Sequence, residues 1–170
     1  MDTIIKVLED KKHYTSSKIY KYELELLDSI IRWDVENLAG PLGLFHVYLN
    51  HPQSSELFKV LEKGSELVNL FIQYLNHSQI SVNVALLCLR CLANMFKFPS
   101  GEAVLWERGS NVLQAVFQFA NHEKNIVWNA VATVYLNYSI SFAPSTDEIN
   151  QVTIDLLTQI PLRLAEEADP

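Results

Sequence analysis

Hydrophobic and polar residues along this 170-residue chain repeat with the spacing of helices. Apolar positions recur at steps of three and four, which places them on one face of a helix. No stretch alternates apolar and polar residues over the length of a strand. The pattern therefore predicts an all-α protein.

Two segments of this pattern are copies of each other. Gly64–His77 aligns without gaps with Gly109–His122, so the second copy begins 45 positions after the first. In both copies the apolar residues fall at i, i+3, i+4, i+7 and i+8, which is the stripe of a helix with one buried face. The members of the stripe are Leu67, Leu70, Phe71, Tyr74 and Leu75 in the first copy and Val112, Ala115, Val116, Phe119 and Ala120 in the second.

Each copy is one part of a larger unit. A longer and more apolar segment follows it, Ile80–Phe98 in the first unit and Asn125–Ser141 in the second. A shorter helical segment precedes it, about Ser54–Lys63 and Gly101–Arg108. Three helices in a period of about 40–47 residues are typical of armadillo and HEAT repeats. We therefore predict an armadillo-like α-solenoid of about three repeats plus the start of a fourth.

The flanking sequence predicts further helices. Ile4–Lys11, Lys18–Trp33 and Leu38–Asn50 have helical patterns before the first clear unit. After the last one, the capping box Ser145-x-x-Glu148 begins a helix that Pro161 kinks or restarts.

The domain organisation follows from these elements. With five glycines and six prolines, the chain has no linker-like tract, and we expect one domain over residues 1–170. Its parts are N-terminal helices at 1–36, repeat units at 37–63, 64–98 and 99–142, and the start of the next repeat at 143–170. Because a solenoid normally ends in a capping repeat, we expect the domain to be truncated at its C-terminal end.

A polar stripe interrupts each of the two long apolar segments. Its members are Asn83, Arg90, Asn94 and Lys97 in the first and Asn125, Asn129, Thr133, Asn137 and Ser141 in the second. Their spacing puts each stripe on one helix face, and in a solenoid both faces would look into one groove. An asparagine amide both donates and accepts hydrogen bonds, so a ladder of them could hold a peptide main chain. A stripe that is simply the wetted face of the helix, or that bonds to neighbouring loops, is the alternative.

Two basic residues are expected to face the groove, and two aromatic residues are expected to pack in the core. Arg90 and Lys97, one turn to either side of Asn94, would give the groove a preference for carboxylates. For Trp128 and Tyr138 we expect core packing rather than contact with a peptide.

Composition narrows the classes of function. A net charge of −7 repels phosphate backbones, so we expect no nucleic-acid partner. No run approaches the length of a membrane span, which is about 18 apolar residues. The apolar stretch within Met1–Asp10 is too short for a signal peptide. We therefore expect no membrane partner and a reduced intracellular compartment.

Catalytic and metal-binding chemistry finds little support. Cys88 and Cys91 form a Cys-x-x-Cys, but zinc needs about four ligands and no further His or Cys has ligand spacing. We interpret the pair as small apolar residues one turn apart on a buried helix. His46, His51, His77 and His122 follow helix ends or lie in apolar runs, where capping and packing are commoner than ligation. No catalytic constellation is present, so we expect no enzyme, no cofactor and no metal site.

The segments Leu86–Phe96, Val131–Ser139 and Pro41–Pro52 resemble the PUL domain, the armadillo-like module of the phospholipase A2-activating protein family. The resemblance covers about residues 26–142. It implies a domain that binds the acidic, tyrosine-containing C-terminal tail of the AAA ATPase valosin-containing protein. It also implies a role in ubiquitin-dependent proteasomal degradation, in the cytoplasm and nucleus. An armadillo-like peptide-binding scaffold with a different ligand is the alternative.

The resemblance also suggests site residues. Arg90 stands where the family has a groove arginine, and the tail-binding role extends to Asn94 and Asn137. Gly43 and His46 occupy places where the family usually has Asp and Arg, which lowers the charge of that end of the groove at neutral pH. The complete candidate peptide-binding set is His46, Arg90, Asn94, Lys97, Thr133 and Asn137.

Overall fold

The computed structural model describes residues 20–51 and 64–141, and every regular element in these two ranges is helical. The elements are α1 (Lys21–Ile30), a 3-10 turn (Val35–Asn37), α2 (Ala39–Leu49), α3 (Gly64–Leu75), α4 (Val82–Met95), α5 (Pro99–Glu107), α6 (Gly109–Phe117) and α7 (Asn125–Ile140). These elements agree with the all-α class and with the arrangement of an α-solenoid. The helices predicted at Ile4–Lys11, at Ser54–Lys63 and after Ser145 lie outside the described residues. The number of repeats and the domain boundaries stay predictions.

Two predicted helices end earlier than their apolar patterns suggest. The pattern over Lys18–Trp33 gives a helix that stops at Ile30, because the next backbone N–H groups turn back to carbonyls three residues away. Trp33 N, for example, donates to Ile30 O at 3.3 Å. The same tightening ends α6 at Phe117, where Ala120 N donates to Phe117 O at 2.9 Å. Short 3-10 turns of this kind are common at helix ends.

Helix α4 is the centre of the described fold. It packs most extensively against α2 and α7. Five of its buried positions recur 43 residues later in α7, so both helices use the same face for the core. The pairs are Val84 with Val127, Cys88 with Val131, Cys91 with Val134, Leu92 with Tyr135, and Met95 with Tyr138. Each large apolar side chain buried here contributes about 1.5–3 kcal/mol to folding.

Buried tyrosines join the inner helices to the outer ones. The Tyr138 hydroxyl donates to Leu105 O in α5 at 2.8 Å, and the Tyr135 hydroxyl donates to Leu113 O in α6 at 3.2 Å. The Tyr138 ring also meets Phe96 and Trp106 edge to face, with centroids 4.8 and 5.3 Å apart. The predicted core role of Tyr138 is confirmed. Trp128 is half-buried.

The corner between α4 and α5 depends on a proline and a glycine. Pro99 opens α5, where its missing N–H has no cost, and Phe98 before it is extended at φ −124° and ψ 131°. Gly101 is buried against the end of α4. A Cβ at this position would collide with the Met95 carbonyl oxygen. The corner therefore requires glycine at 101 because the two backbones come too close for any side chain.

Within the two described ranges, no single helix is long and apolar enough to cross a membrane. The successive helices α4 and α5 reach that length and composition only when taken together, and they meet at 116°.

Candidate functional site

Three of the six predicted site residues lie together where α2 packs on α4. His46 is half-buried in the last turn of α2, and the pKa of its imidazole is lowered to about 4, chiefly by burial. The positive charges of Arg90 and Lys97 contribute to this lowered pKa, so both cations lie within electrostatic range of the ring. At neutral pH His46 is uncharged, and it can offer a ring nitrogen as a hydrogen-bond acceptor.

Lys97 connects the ends of the two helices. Its Nζ donates a hydrogen bond to Oδ1 of Asn50, and the Asn50 amide donates to His46 O at 3.2 Å. Burial lowers the pKa of the Lys97 ammonium group. The sequence prediction did not include Asn50, although Asn50-His51 has the same residue types as Asn76-His77 and Asn121-His122.

Arg90 is half-buried in α4 and makes no hydrogen bond or ion pair with any residue in the described ranges. Lys97 likewise has no carboxylate partner within those ranges. In the cluster of His46, Arg90 and Lys97, the two cations Arg90 and Lys97 thus place positive charge beside the neutral imidazole, on a protein whose net charge is −7. The guanidinium group of Arg90 can bind a carboxylate of a ligand through two parallel hydrogen bonds.

Asn94 lies between the two cations along α4. Its Nδ2 is buried and has no hydrogen-bond acceptor in the part of the chain that the structure describes. A buried amide N–H without a partner costs about 1–3 kcal/mol, and such groups are rare in native proteins. The Asn94 Nδ2 donor is therefore a polar group that the described residues leave without a hydrogen-bond partner, and it belongs to the same helix as Arg90.

The two predicted residues of α7 have internal partners instead. The Asn137 amide donates to Ala93 O at 3.0 Å, and Thr133 Oγ1 donates to Asn129 O at 2.7 Å. One N–H of the Asn137 amide thus bonds the end of α4, so this amide is not wholly free, and its role in binding a peptide stays a prediction. A hydrogen bond of this kind agrees with the alternative interpretation of the polar stripe, in which its side chains bond neighbouring parts of the same protein. Two buried polar atoms have no hydrogen-bond partner in the described ranges, Nδ2 of Asn94 in α4 and Nε of Arg108 between α5 and α6.

Two histidines in the loops after helices accept local hydrogen bonds from the backbone. His77 Nδ1 accepts a hydrogen bond from Gln79 N at 3.3 Å, and His122 Nδ1 accepts one from Lys124 N at 3.0 Å. The two residues occupy equivalent places in the repeated segments and make equivalent local hydrogen bonds, each from the backbone N–H two residues later. In the described ranges, no group of three or more His, Cys, Asp or Glu residues is arranged to hold a metal ion.

The cysteines are buried side chains of α4. Cys88 and Cys91 are both free and fully shielded from solvent, as expected for two small residues on a buried helix. Burial raises the pKa of both thiols, and the Cys91 Sγ lies 3.9 Å from Leu42 O. Thiols in this state are poor nucleophiles because the reactive thiolate is disfavoured.

Comparison with known proteins gives consistent matches. A family model described as the PUL domain matches residues 1–169. The chain is 26% identical over 147 residues to a Caenorhabditis elegans protein named ubiquitin fusion degradation protein 3 homolog, covering 86% of this chain and 17% of the relative. It is also 26% identical over 125 residues to the phospholipase A-2-activating protein of Xenopus laevis, covering 74% of this chain and 16% of the relative. The chain thus spans about a sixth of the length of these curated relatives. No solved structure matches it.

Proposed function

This chain belongs to the PUL domain family, and from that premise we propose that it is a non-catalytic adaptor that binds an acidic peptide at the α2–α4 cluster. The proposed ligand is the acidic, tyrosine-containing C-terminal tail of the ATPase valosin-containing protein. The proposed context is ubiquitin-dependent proteasomal degradation in the cytoplasm and nucleus. One relative is named for ubiquitin fusion degradation, which supports this context.

The observation that carries the proposal is the absence of any carboxylate partner for Arg90 and Lys97 within the described ranges. The chain has 20 acidic residues against 13 basic ones, so an internal partner for these cations would be easy to supply. A site that leaves two neighbouring cations unpaired is suited to a ligand that brings its own carboxylates. Arg90 is half-buried and Lys97 is exposed, so a lower local dielectric strengthens the contact of Arg90 with a carboxylate more than that of Lys97.

Neighbouring groups would complete the contact. The Nδ2 of Asn94 is shielded from solvent, so it can donate to a carboxylate or a main-chain carbonyl of the ligand only when neighbouring side chains move aside. Neutral His46 can accept a hydrogen bond, for example from a tyrosine hydroxyl or a peptide N–H. The cations would select for acidic residues, and the amide and imidazole would orient the peptide.

A titration tests the proposal. A fluorescently labelled peptide with the sequence of the ATPase tail is titrated against the chain and against Arg90→Ala, Lys97→Ala and the control Lys124→Ala. Lys124 is exposed at the start of α7, so its removal changes the net charge equally but leaves the cluster intact. We expect Arg90→Ala and Lys97→Ala each to weaken binding about tenfold or more, and Lys124→Ala to have little effect. Equal affinity for all four proteins would refute the site, and failure of the tail to bind the unmodified chain would favour a scaffold with a different ligand.

A further inference from the structure

A second concave site lies on another part of the molecule, where the turn after α1 faces the end of α3. It encloses about 540 Å³, which is within the range of about 300–1,000 Å³ typical of ligand pockets. Its lining includes Trp33, Asp34 and Glu36 from the turn and Leu70, Tyr74 and His77 from α3 and the residues after it. It shares no residue with the cluster of His46, Arg90 and Lys97.

The rim of this pocket carries an exposed aromatic side chain. Trp33 is 54% exposed, although burial of an indole is strongly favourable and large apolar side chains usually find a place in the core. It follows the end of α1 and is held there by a backbone hydrogen bond to Ile30 O. Leu70 contributes an apolar, half-buried surface to the same pocket. An open indole face beside an apolar wall can stack on a planar group of a ligand.

The charges around the pocket are predominantly negative. Arg32 is the one cation in its lining, and the Asp28 carboxylate binds it at 2.8 Å while Glu66 lies 4.0 Å away. The positive charge of Arg32 is therefore compensated by Asp28 and Glu66, which do not line the pocket. Asp34 and Glu36 add two further carboxylates, and neither forms an ion pair with a residue in the described ranges.

The end of α3 gives the pocket a fixed wall. The Tyr74 hydroxyl donates to Ile31 O at 2.5 Å, which ties α3 to the turn that carries Trp33. His77 Nδ1 accepts from Gln79 N, so the loop after α3 is also locally held. The indole and the two carboxylates are thus presented from a braced turn, which lowers the entropy cost of binding.

We propose that this pocket binds an arginine side chain of a basic segment in a partner protein. A guanidinium is planar, so it can stack on the Trp33 indole while its N–H groups reach the carboxylates of Asp34 or Glu36. The pocket is therefore opposite in charge preference to the cluster on α2 and α4. The domain would bind an acidic peptide at one site and a basic segment at the other.

Fluorescence polarisation with a short labelled peptide tests this inference. The peptide has one central arginine among leucine and serine residues, and its partner peptide has citrulline in place of the arginine. Citrulline keeps the planar shape and removes the charge. We expect the full chain to bind the arginine peptide and to bind the citrulline peptide about three- to tenfold more weakly.

Variants of the chain locate the binding. Trp33→Ala and Glu36→Gln each weaken binding of the arginine peptide about three- to tenfold. Both residues are exposed, and a thermal melt verifies that the variants fold. The control Glu123→Gln removes an exposed carboxylate elsewhere and leaves the affinity unchanged.

Several results would overturn the inference. One is equal binding of the arginine and citrulline peptides, and another is an equal response of Glu36→Gln and Glu123→Gln, which would reduce the effect to net charge. A third is self-association of the chain that Trp33→Ala abolishes, without any binding of the arginine peptide, because the surface would then belong to a second copy. The acidic tail peptide is titrated separately against the same variants, so failure here is distinguishable from failure of the acidic-peptide site.

Discussion

The side-chain amide of Asn137 donates a 3.0 Å hydrogen bond to the backbone carbonyl of Ala93, 44 positions earlier in the chain. Ala93 lies in the last turn of α4, where carbonyl groups lack partners within the helix. The bond therefore ties α7 to the end of α4. It also uses one of the two N–H groups of the amide that the polar stripe suggested for a peptide ligand.

Removing this bond should affect stability more than binding. Asn137→Ala leaves the Ala93 carbonyl without its partner, and we expect a loss of about 1–2 kcal/mol in the free energy of unfolding, measured by urea denaturation. Affinity for the acidic tail peptide should stay within about twofold. Asn129→Ala, at an exposed position of the same helix, is the control and should change neither quantity. If Asn137→Ala instead lost much of its affinity and kept its stability, the result would show that Asn137 contacts the peptide.

Asn94 should behave in the opposite way. Because its Nδ2 is buried without an acceptor in the described ranges, Asn94→Leu removes an unsatisfied donor. We expect the free energy of unfolding to stay constant or rise by up to about 1 kcal/mol. Tail-peptide affinity should fall about fivefold or more, measured by the titration described above. A variant that loses stability and keeps its affinity would show that the amide serves the fold.

His46 should make the fold sensitive to acid. The unfolded chain takes up a proton on this residue near pH 6.5 and the folded chain only near pH 4. Stability is therefore complete above about pH 6.5 and declines as the pH falls toward 4. After allowance for solvent screening at this half-buried site, we expect a loss of about 1–2 kcal/mol across that window.

Urea unfolding of the chain and of His46→Gln at several pH values measures this loss. Glutamine stays neutral, so the variant should lose less stability over the same window, while other acidic groups titrate alike in both proteins. Parallel curves for the two proteins would mean that His46 does not titrate in this way.

Gly101 and Gly109 should respond differently to the same substitution. A Cβ at Gly101 would collide with the Met95 carbonyl oxygen, whereas a Cβ at Gly109 would rest 3.7 Å from the Tyr138 ring. We expect Gly101→Ala to destabilise the fold by about 1–3 kcal/mol. Gly109→Ala should be neutral or slightly stabilising, since it begins a helix and alanine favours helices. Thermal melts of both variants decide the matter, and similar melting temperatures would contradict the close approach of α4 and α5.

The thiols should be unreactive in the folded chain. Cys88 and Cys91 are fully buried and their pKa values are raised, so labelling by an aromatic disulfide reagent at neutral pH should require unfolding. We expect rates at least about a hundredfold below that of free cysteine. The same chain in concentrated urea is the control and should label both residues quickly. Rapid labelling without denaturant would reopen a redox or metal-binding role for the pair.

The sequence by itself determined the helices and which of their faces enter the core. Helical periodicity depends on local spacing, so the stripe from Leu67 to Leu75 predicted both the element and its buried side. Internal repetition then identified α3 with α6 and α4 with α7, because equivalent segments of a solenoid bury equivalent positions. The burial of Cys88 and Cys91 followed from the same pattern.

Only the tertiary structure decided how each polar residue is used. Asn94 and Asn137 have the same residue type and equivalent places in the repeat, yet one lacks an acceptor in the described ranges and the other bonds Ala93. The difference depends on what the neighbouring helix presents at that point, which spacing along one helix cannot encode. The pocket at Trp33 likewise arises from segments about 40 positions apart that meet only in the fold. Side-chain periodicity is a property of one helix, whereas hydrogen-bond partners and cavities are properties of the packing between helices.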